Sequence, residues 1–311
     1  MSKKFSKPVF IAGPTASGKS ALALRLAEEF DCVIISADSM QIYRGLDIGT
    51  AKVSRAIRDK VEHKLIDIVD YDEEFSVARF SELARAEIES AINKGKLPIV
   101  VGGTGLYFEA LLYPMSFGHT VKNEELRQTL NSEYKLYGAQ YLHDKLRALD
   151  AETADRLHAN DVKRVIRALE IVITTGKTMK ENGDVGREEP NVIMVALNTD
   201  REKLYEKINK RVDIMFDNGL VAEALSAGRF DCQSMQAIGY KEFANCHFTI
   251  VGDQYVIDKN ELERIKELIK QHTRNYAKRQ LTWFKKYKFI KWFDCDDLDE
   301  AASYIKEQLN E

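Results

Sequence analysis

Short apolar, β-branched runs recur along the chain at 9–11, 32–35, 64–69, 97–101, 192–197 and 289–293, and most are separated by longer stretches whose apolar positions repeat with helical spacing. A strand covered on both faces reads as a near-continuous apolar run, whereas a helix lying on a sheet shows an apolar stripe. Strands alternating with helices therefore predict an α/β core, a parallel sheet with helices on both faces. The alternation stops after residue 113. The stretch 114–190 carries helical patterning and no strand-like run, so a helical insertion is expected to interrupt a core built from 1–113 and 191–311. The far end of the insertion, 180–190, is polar with two glycines and a proline, a composition suited to a surface loop or hinge.

With 311 residues, 44% apolar and 31% charged, the chain can bury one large core or two modest ones without covalent staples. No apolar run approaches the roughly 20 residues that cross a bilayer, and the N-terminal residues lead into a strand rather than a signal-peptide segment, so a cytoplasmic protein without membrane contact is expected. Cys32, Cys232, Cys246 and Cys295 lie far apart with no C-x-x-C pair, which argues against a zinc site or a disulfide framework. A net charge of −3 excludes a broadly basic nucleic-acid binder and confines any RNA surface to a local patch. One such patch is evident. Between residues 261 and 290 there are nine Lys/Arg against three Glu, with Tyr276, Trp283, Phe284 and Tyr287 interleaved. Basic side chains there suit a phosphate backbone, and aromatic ones suit either unstacked bases or a core.

The most specific chemistry follows the first strand. Gly13-Pro14-Thr15-Ala16-Ser17-Gly18-Lys19-Ser20 fits the G-x-x-x-x-G-K-[ST] pattern of a P-loop, between an apolar strand and a helical pattern. Its glycines let successive backbone N–H groups turn inward, and the helix that follows adds a positive end for an anion. Lys19 neutralises phosphate oxygens in such a loop, and the Ser20 hydroxyl is placed to ligate Mg²⁺. A nucleotide hydrolase would carry an Asp at the end of an apolar strand to organise metal, yet the strand 97–101 runs into Gly102-Gly103-Thr104-Gly105. The acidic candidate follows the second strand instead, in Asp38-Ser39-Met40-Gln41.

Together with the P-loop, Asp38-Ser39-x-Gln41-x-Tyr43, Leu46-Asp47-Ile48-Gly49-Thr50-Ala51-Lys52 and Gly102-Gly103-Thr104-Gly105-Leu106-Tyr107 resemble the bacterial tRNA dimethylallyltransferase family. Later segments follow in the family's order: Lys163-Arg164-Val165-Ile166-Arg167-Ala168-Leu169-Glu170, Gln236-Ala237-Ile238-Gly239-Tyr240-Lys241-Glu242, and Thr273-Arg274-Asn275-Tyr276-Ala277-Lys278-Arg279-Gln280-x-Thr282-Trp283-Phe284. There are departures. Glu62-His63-Lys64 stands where the family tends to have paired histidines, Val53 replaces the usual proline after Ala51-Lys52, and the zinc finger of eukaryotic relatives is absent from this sequence.

The resemblance implies that the N6 amine of a tRNA adenosine, just 3′ of the anticodon in tRNAs reading codons that begin with U, attacks C1 of dimethylallyl diphosphate. The P-loop, residues 13 to 20, then becomes an anion hole for the leaving diphosphate, assisted by Mg²⁺ at Ser20. Asp38 is expected to accept the amine proton, Thr104 to stand beside the amine and diphosphate, and Arg211 to grip diphosphate oxygens. On the RNA side the resemblance implies Asp38, Ser39, Met40, Gln41 and Thr104, the helix residues Lys163, Arg164, Val165, Ile166 and Arg167, the stretch Gln236, Gly239, Tyr240 and Lys241, and Arg274, Lys278 and Arg279. The insertion would clasp the anticodon stem, the target base would leave its stack, and the enzyme is expected to act as a monomer. The helical reading of 161–175 gives an apolar stripe of Val162, Ile166, Leu169 and Ile173. Three rivals stay open: a P-loop kinase, an isopentenyltransferase acting on free adenine nucleotides, and an RNA-binding protein that merely carries a P-loop.

Overall fold

A computed structural model describes residues 5–113, 123–183, 190–252 and 254–310. The chain falls into two compact units, one made of Met1–Leu111 with Pro190–Glu311 and the other of Leu112–Glu189.

The first unit is built on β1 (Val9–Ala12), β2 (Cys32–Ala37), β3 (His63–Lys64), β4 (Leu97–Gly102), β5 (Ile193–Asn198), β6 (Phe248–Val251), β7 (Gln254–Ile257) and β8 (Lys291–Asp294). Six of these form one all-parallel sheet in the order β3-β2-β4-β1-β5-β8. Every residue of β1, β2 and β4 is buried, which is why these strands read as unbroken apolar runs rather than alternating ones. Val9 and Ile11 face a core shared with Leu22 and Leu26 of the helix Lys19–Ala27 and with Ala301 and Ile305 of the helix Leu298–Asn310. Phe10, between them, meets Phe108 edge-on, and Phe108 in turn meets Phe284. Register places Phe10 opposite Val100 on one side and Met194 on the other.

Two strand expectations need correction. Of the run 64–69 only Lys64 joins the sheet, in the two-residue strand His63–Lys64, because Leu65 and Asp67 adopt φ of 60° and 56° and turn the chain away. Asp67 is then fixed by Lys52 at 2.6 Å and Arg58 at 2.6 Å, and Val69 touches Tyr43 only as an isolated parallel bridge. The antiparallel pair β6 and β7 was not expected; its strands are largely exposed and lie outside the main sheet. Among the described residues no helix is long and apolar enough to cross a membrane.

Among its described residues the second unit consists of helices joined by short turns. Glu124–Leu149 is bent at Gly138 (φ 83°, ψ 178°), and Val162–Thr175 packs Val165, Ile166, Ala168 and Leu169 against Leu130, Leu142, Leu146 and Ala154. The buried stripe therefore includes Val165, whereas Ile173 is exposed, since the packed face of this helix is rotated from the one read off the sequence. Most of the polar loop expected at 180–190 lies outside the described residues. At the centre of the unit, the fully buried carboxylate of Glu170 accepts bonds from Arg127 at 2.9 and 2.8 Å, from Arg167 at 2.6 Å and from the Asn123 amide at 3.0 Å.

Burial alone opposes ionisation of Glu170, but Arg127, Arg167 and the Asn123 amide outweigh it and hold the carboxyl below its ordinary range. A carboxylate with a depressed pKa contributes stability above its unfolded pKa and loses it as pH falls through the folded one. The Glu170→Ala variant strands two arginines and is expected to lose on the order of 3 kcal/mol, measured by denaturant unfolding at neutral pH. An unchanged unfolding midpoint would show the cluster to be dispensable.

Candidate active site

Because β4 lies between β1 and β2, the carboxyl ends of these three parallel strands are neighbours, the usual place for a ligand in an open α/β sheet. Each end opens into one of the segments singled out in the sequence. After β1 the chain curls through Gly13 at φ 138°, where a Cβ would stand 2.5 Å from the Leu197 carbonyl, so only glycine fits. Ala16 also takes a positive φ of 64°, and Lys19 starts the helix with its Nζ donating to the Pro14 carbonyl at 2.5 Å. After β2, Asp38 accepts the Met40 amide at 2.9 Å and thereby fixes the turn that carries Ser39 to Gln41. After β4, Thr104 Oγ1 accepts the Ser39 amide at 3.0 Å, joining the two turns.

These segments border one cavity of about 350 Å³. Thr15, Lys19 and Ser20 line it from the P-loop, Asp38, Ser39, Met40 and Gln41 from the second turn, and Gly103 from the third, next to Thr104. Gln41 is held by the Ser36 hydroxyl at 3.0 Å and donates to the Thr50 carbonyl at 3.1 Å. Arg211 enters from the helix Arg201–Asp217, whose Leu204, Ile208, Val212 and Met215 are buried. Gln236, Gly239 and Lys241 form another wall, and Arg279 comes from the helix Lys259–Phe284.

Other expected residues lie elsewhere. Val165 and Ile166 turn their side chains into the core of the helical unit, and the Tyr240 side chain is fully buried, which takes all three side chains off any RNA-facing surface. Arg167 is engaged by Glu170, and Arg164 pairs with Asp161 at 3.2 Å while remaining largely exposed, as is Lys163. Arg274 donates to Asn209 at 2.6 Å, and Lys278 is exposed; neither lines the cavity. Trp283 packs on Gly105 under the Lys286 ammonium, 4.1 Å from its ring, and so serves the core. Residue-by-residue reading missed His63, Tyr276 and Gln280, all of which line the cavity. The last two stand in a segment noted for its basic and aromatic composition, but no spacing rule marked them as cavity residues.

The cavity carries more positive than negative charge. Among the described residues neither Lys19 nor Arg211 is paired directly with a carboxylate. Burial first, and then the nearby Arg211 guanidinium, lower the Lys19 pKa to about 7, with Asp38 only partly offsetting them. Burial likewise holds Arg211 below its ordinary value, again with Asp38 opposing. Two crowded cations and one carboxylate form a site that is relieved by taking up an anion.

One wall is set by an unexpected group. The Glu223 carboxylate accepts the successive amides of Asp47, Ile48 and Gly49 at 2.8 to 3.0 Å and the Tyr240 hydroxyl at 2.6 Å. It thereby ties the turn bearing Gly49 and Thr50 to the stretch bearing Gly239 and Lys241, on two sides of the cavity.

A parallel sheet with a P-loop after its central strand, cations gathered over that loop and a carboxylate at the neighbouring strand end define a phosphate-binding α/β protein of the P-loop type. The particular family is equally plain: residues 41–287 match the IPP transferase family, and the chain belongs to it. It is 45% identical over 303 residues to a tRNA dimethylallyltransferase of Acetivibrio thermocellus, covering 95% of this chain and 94% of the relative. It resembles the crystal structure of a full-length tRNA isopentenylpyrophosphate transferase from Bacillus halodurans with a TM-score of 0.68 at 41% identity, over 98% of this chain and 97% of the other. A eukaryotic dimethylallyltransferase acting on tRNA superposes with a TM-score of 0.77 at 30% identity, covering 94% of this chain and 75% of that one.

With its pKa near 7, Lys19 is largely neutral at pH 8, and a bound anion restores its charge. Binding of inorganic diphosphate at pH 8 is therefore expected to take up nearly one proton, and affinity to fall as pH rises above about 7. Titration calorimetry in two buffers of different ionisation enthalpy measures this uptake; equal apparent enthalpies in both would refute it.

Proposed function

We propose that this protein transfers a dimethylallyl group from dimethylallyl diphosphate to N6 of the adenosine 3′ of the anticodon in tRNAs reading codons that begin with U, releasing diphosphate. The observation that carries this reading is a cavity that combines a cation-lined P-loop with the Asp38 carboxylate at the adjoining strand end, beside a turn whose Thr104 hydroxyl is bonded to the cavity residue Ser39. Relatives are named tRNA dimethylallyltransferase and tRNA isopentenylpyrophosphate transferase, which supports transfer of such a group to tRNA.

In the reaction the amine nitrogen bonds to C1 of the dimethylallyl group as the C1–O bond breaks, and the electron pair of that bond leaves with the diphosphate. The P-loop amides, Lys19 and Arg211 stabilise the charge that grows on the leaving oxygens, in a site where water is partly excluded. Arg211 supplies a planar fork able to hold two diphosphate oxygens at once. The exocyclic amine is a weak nucleophile because its lone pair is delocalised into the ring. Asp38 takes the proton the nitrogen sheds, and Thr104, already bonded to the Ser39 amide, orients the amine beside it. The donors suit a hard cation: the Ser20 hydroxyl and Asp38 carboxylate offer oxygen alone, so Mg²⁺ would be held at Ser20 and would add charge neutralisation on the diphosphate.

The transfer consumes no ATP, which agrees with a strand end that carries Gly102-Gly103-Thr104 in place of a metal-binding carboxylate. On the RNA side, Ser39, Met40, Gln41, Gln236, Gly239, Lys241 and Arg279 surround the flipped base, and exposed Lys163, Arg164 and Lys278 meet phosphates. The helical unit clasps the anticodon stem. The enzyme works as a cytoplasmic monomer.

Radiolabel is expected to pass from dimethylallyl diphosphate to unmodified tRNA with Mg²⁺ and without ATP; label in free AMP, or ATP hydrolysis in its place, would overturn the proposal. Asp38→Ala is expected to lower turnover by ~10²–10⁴-fold while tRNA affinity stays near the parental value, and an unimpaired rate would remove Asp38 from the mechanism. Arg211→Gln should raise the KM for the allylic diphosphate with little change in that for tRNA. Parental kinetics in that variant would leave Arg211 as a packing residue.

A further inference from the structure

Tyr276, Gln280 and Trp283 stand at i, i+4 and i+7 on the helix Lys259–Phe284 and so share one face. That face grips the turn after β4. Trp283 lies against Gly105, and the Tyr276 hydroxyl is close enough to the side chains of Thr104 and Gln280 to interact with both. Gln280 is 5% exposed and uses both ends of its amide. Its Oε1 accepts the Thr15 amide of the P-loop at 2.9 Å, and its Nε2 donates to the Gly103 carbonyl at 2.9 Å. The approach is close: a Cβ on Gly103 would lie 2.0 Å from Gln280 Nε2.

The Thr15 amide is therefore committed to a side chain instead of being offered to a phosphate. One buried amide group joins the loop that holds the leaving group to the turn that holds Thr104. A buried primary amide can do this because it presents a donor and an acceptor side by side in one rigid plane, so the two loops are locked in separation as well as contact. Neither a carboxylate nor an ammonium of the same reach offers both.

We infer that Gln280 is a positioning residue that sets the distance between the diphosphate held by the P-loop and the amine oriented by Thr104, through its simultaneous bonds to Thr15 and Gly103. The inference rests on the transfer reading given above. It assigns to Gln280 an effect on the alignment of two bound substrates and not on the binding of either. Attack on C1 requires the nitrogen to sit close to the carbon and in line with the breaking C–O bond, and a displacement of about 1 Å is enough to cost about 10²-fold in rate.

Two variants test this from opposite sides of the same contact. Gln280→Met keeps the length and neutrality of the side chain and removes both bonds. Gly103→Ala keeps the glutamine and pushes its amide off the turn; the atom it meets is the end of a flexible side chain, so the fold can absorb the change. For both, kcat with saturating tRNA and dimethylallyl diphosphate is expected to fall about 10²-fold. The Kd values for inorganic diphosphate and for tRNA should stay within about threefold of the parent, and the unfolding midpoint should fall by no more than the loss of two buried hydrogen bonds explains, with the variants fully folded at the assay temperature.

Gln280→Glu adds a pH readout. As a carboxylate it still accepts from Thr15 but cannot donate to Gly103, and once protonated it can do both. Its activity relative to the parent is expected to rise as pH is lowered from about 8 towards about 6, because burial raises the pKa of a carboxyl group. Parental kcat in Gln280→Met and Gly103→Ala would overturn the inference, and so would losses of diphosphate affinity and thermal stability that account for the fall in rate. A parent protein that transfers no label would overturn the transfer reading and this inference with it, whereas an active parent with fully active variants overturns the inference alone.

Discussion

The placement of β4 between β1 and β2 is the constraint on which the site depends. Parallel pairing sends all three strands in one direction, so their carboxyl ends open on the same edge, and adjacency brings the loops that follow to within side-chain reach. Residues far apart in sequence, Lys19, Asp38 and Gly103, thereby border a common space without any long loop being needed to collect them. The complete burial of these strands makes the arrangement rigid, since shifting one strand would expose apolar side chains on both faces of the sheet.

Electrostatics follows from this geometry and not from composition. The chain is mildly acidic as a whole, yet its central cavity gathers Lys19 and Arg211 around a single carboxylate. Crowding and desolvation make both cations costly until an anion arrives, and that cost is what gives a diphosphate a larger share of its stabilisation in this site than simple charge pairing in water would provide.

Much of the fold was legible in the sequence because its central strands are apolar throughout and its P-loop obeys a strict spacing. The strand run 64–69 misled because a β-branched segment was read without the left-handed turns at Leu65 and Asp67, which are stabilised by tertiary ion pairs from Lys52 and Arg58. The hairpin of β6 and β7 escaped because its strands are short and exposed, although the glycine between two β-branched runs was a usable sign. On the helix Val162–Thr175 a strict i, i+4, i+7 reading placed Ile173 inside and passed over Val165, since the packed face is rotated from that stripe towards Val165, Ala168 and Val172. For the candidate site, Asp38 and Thr104 were singled out through motifs, whereas Gln280 and Glu223 were assigned no role, because both bond backbone groups of distant loops and backbone partners leave no pattern in a sequence.

The carboxylate of Glu223 sits on three consecutive backbone amides, a concave arrangement of the sort that a P-loop offers to phosphate. Among the described residues two such amide cradles lie near the cavity, at the P-loop and at residues 47–49, and the second is filled by the protein's own side chain. With the Glu223 carboxylate seated on them, the amides of residues 47–49 are not offered to any anion that enters the cavity.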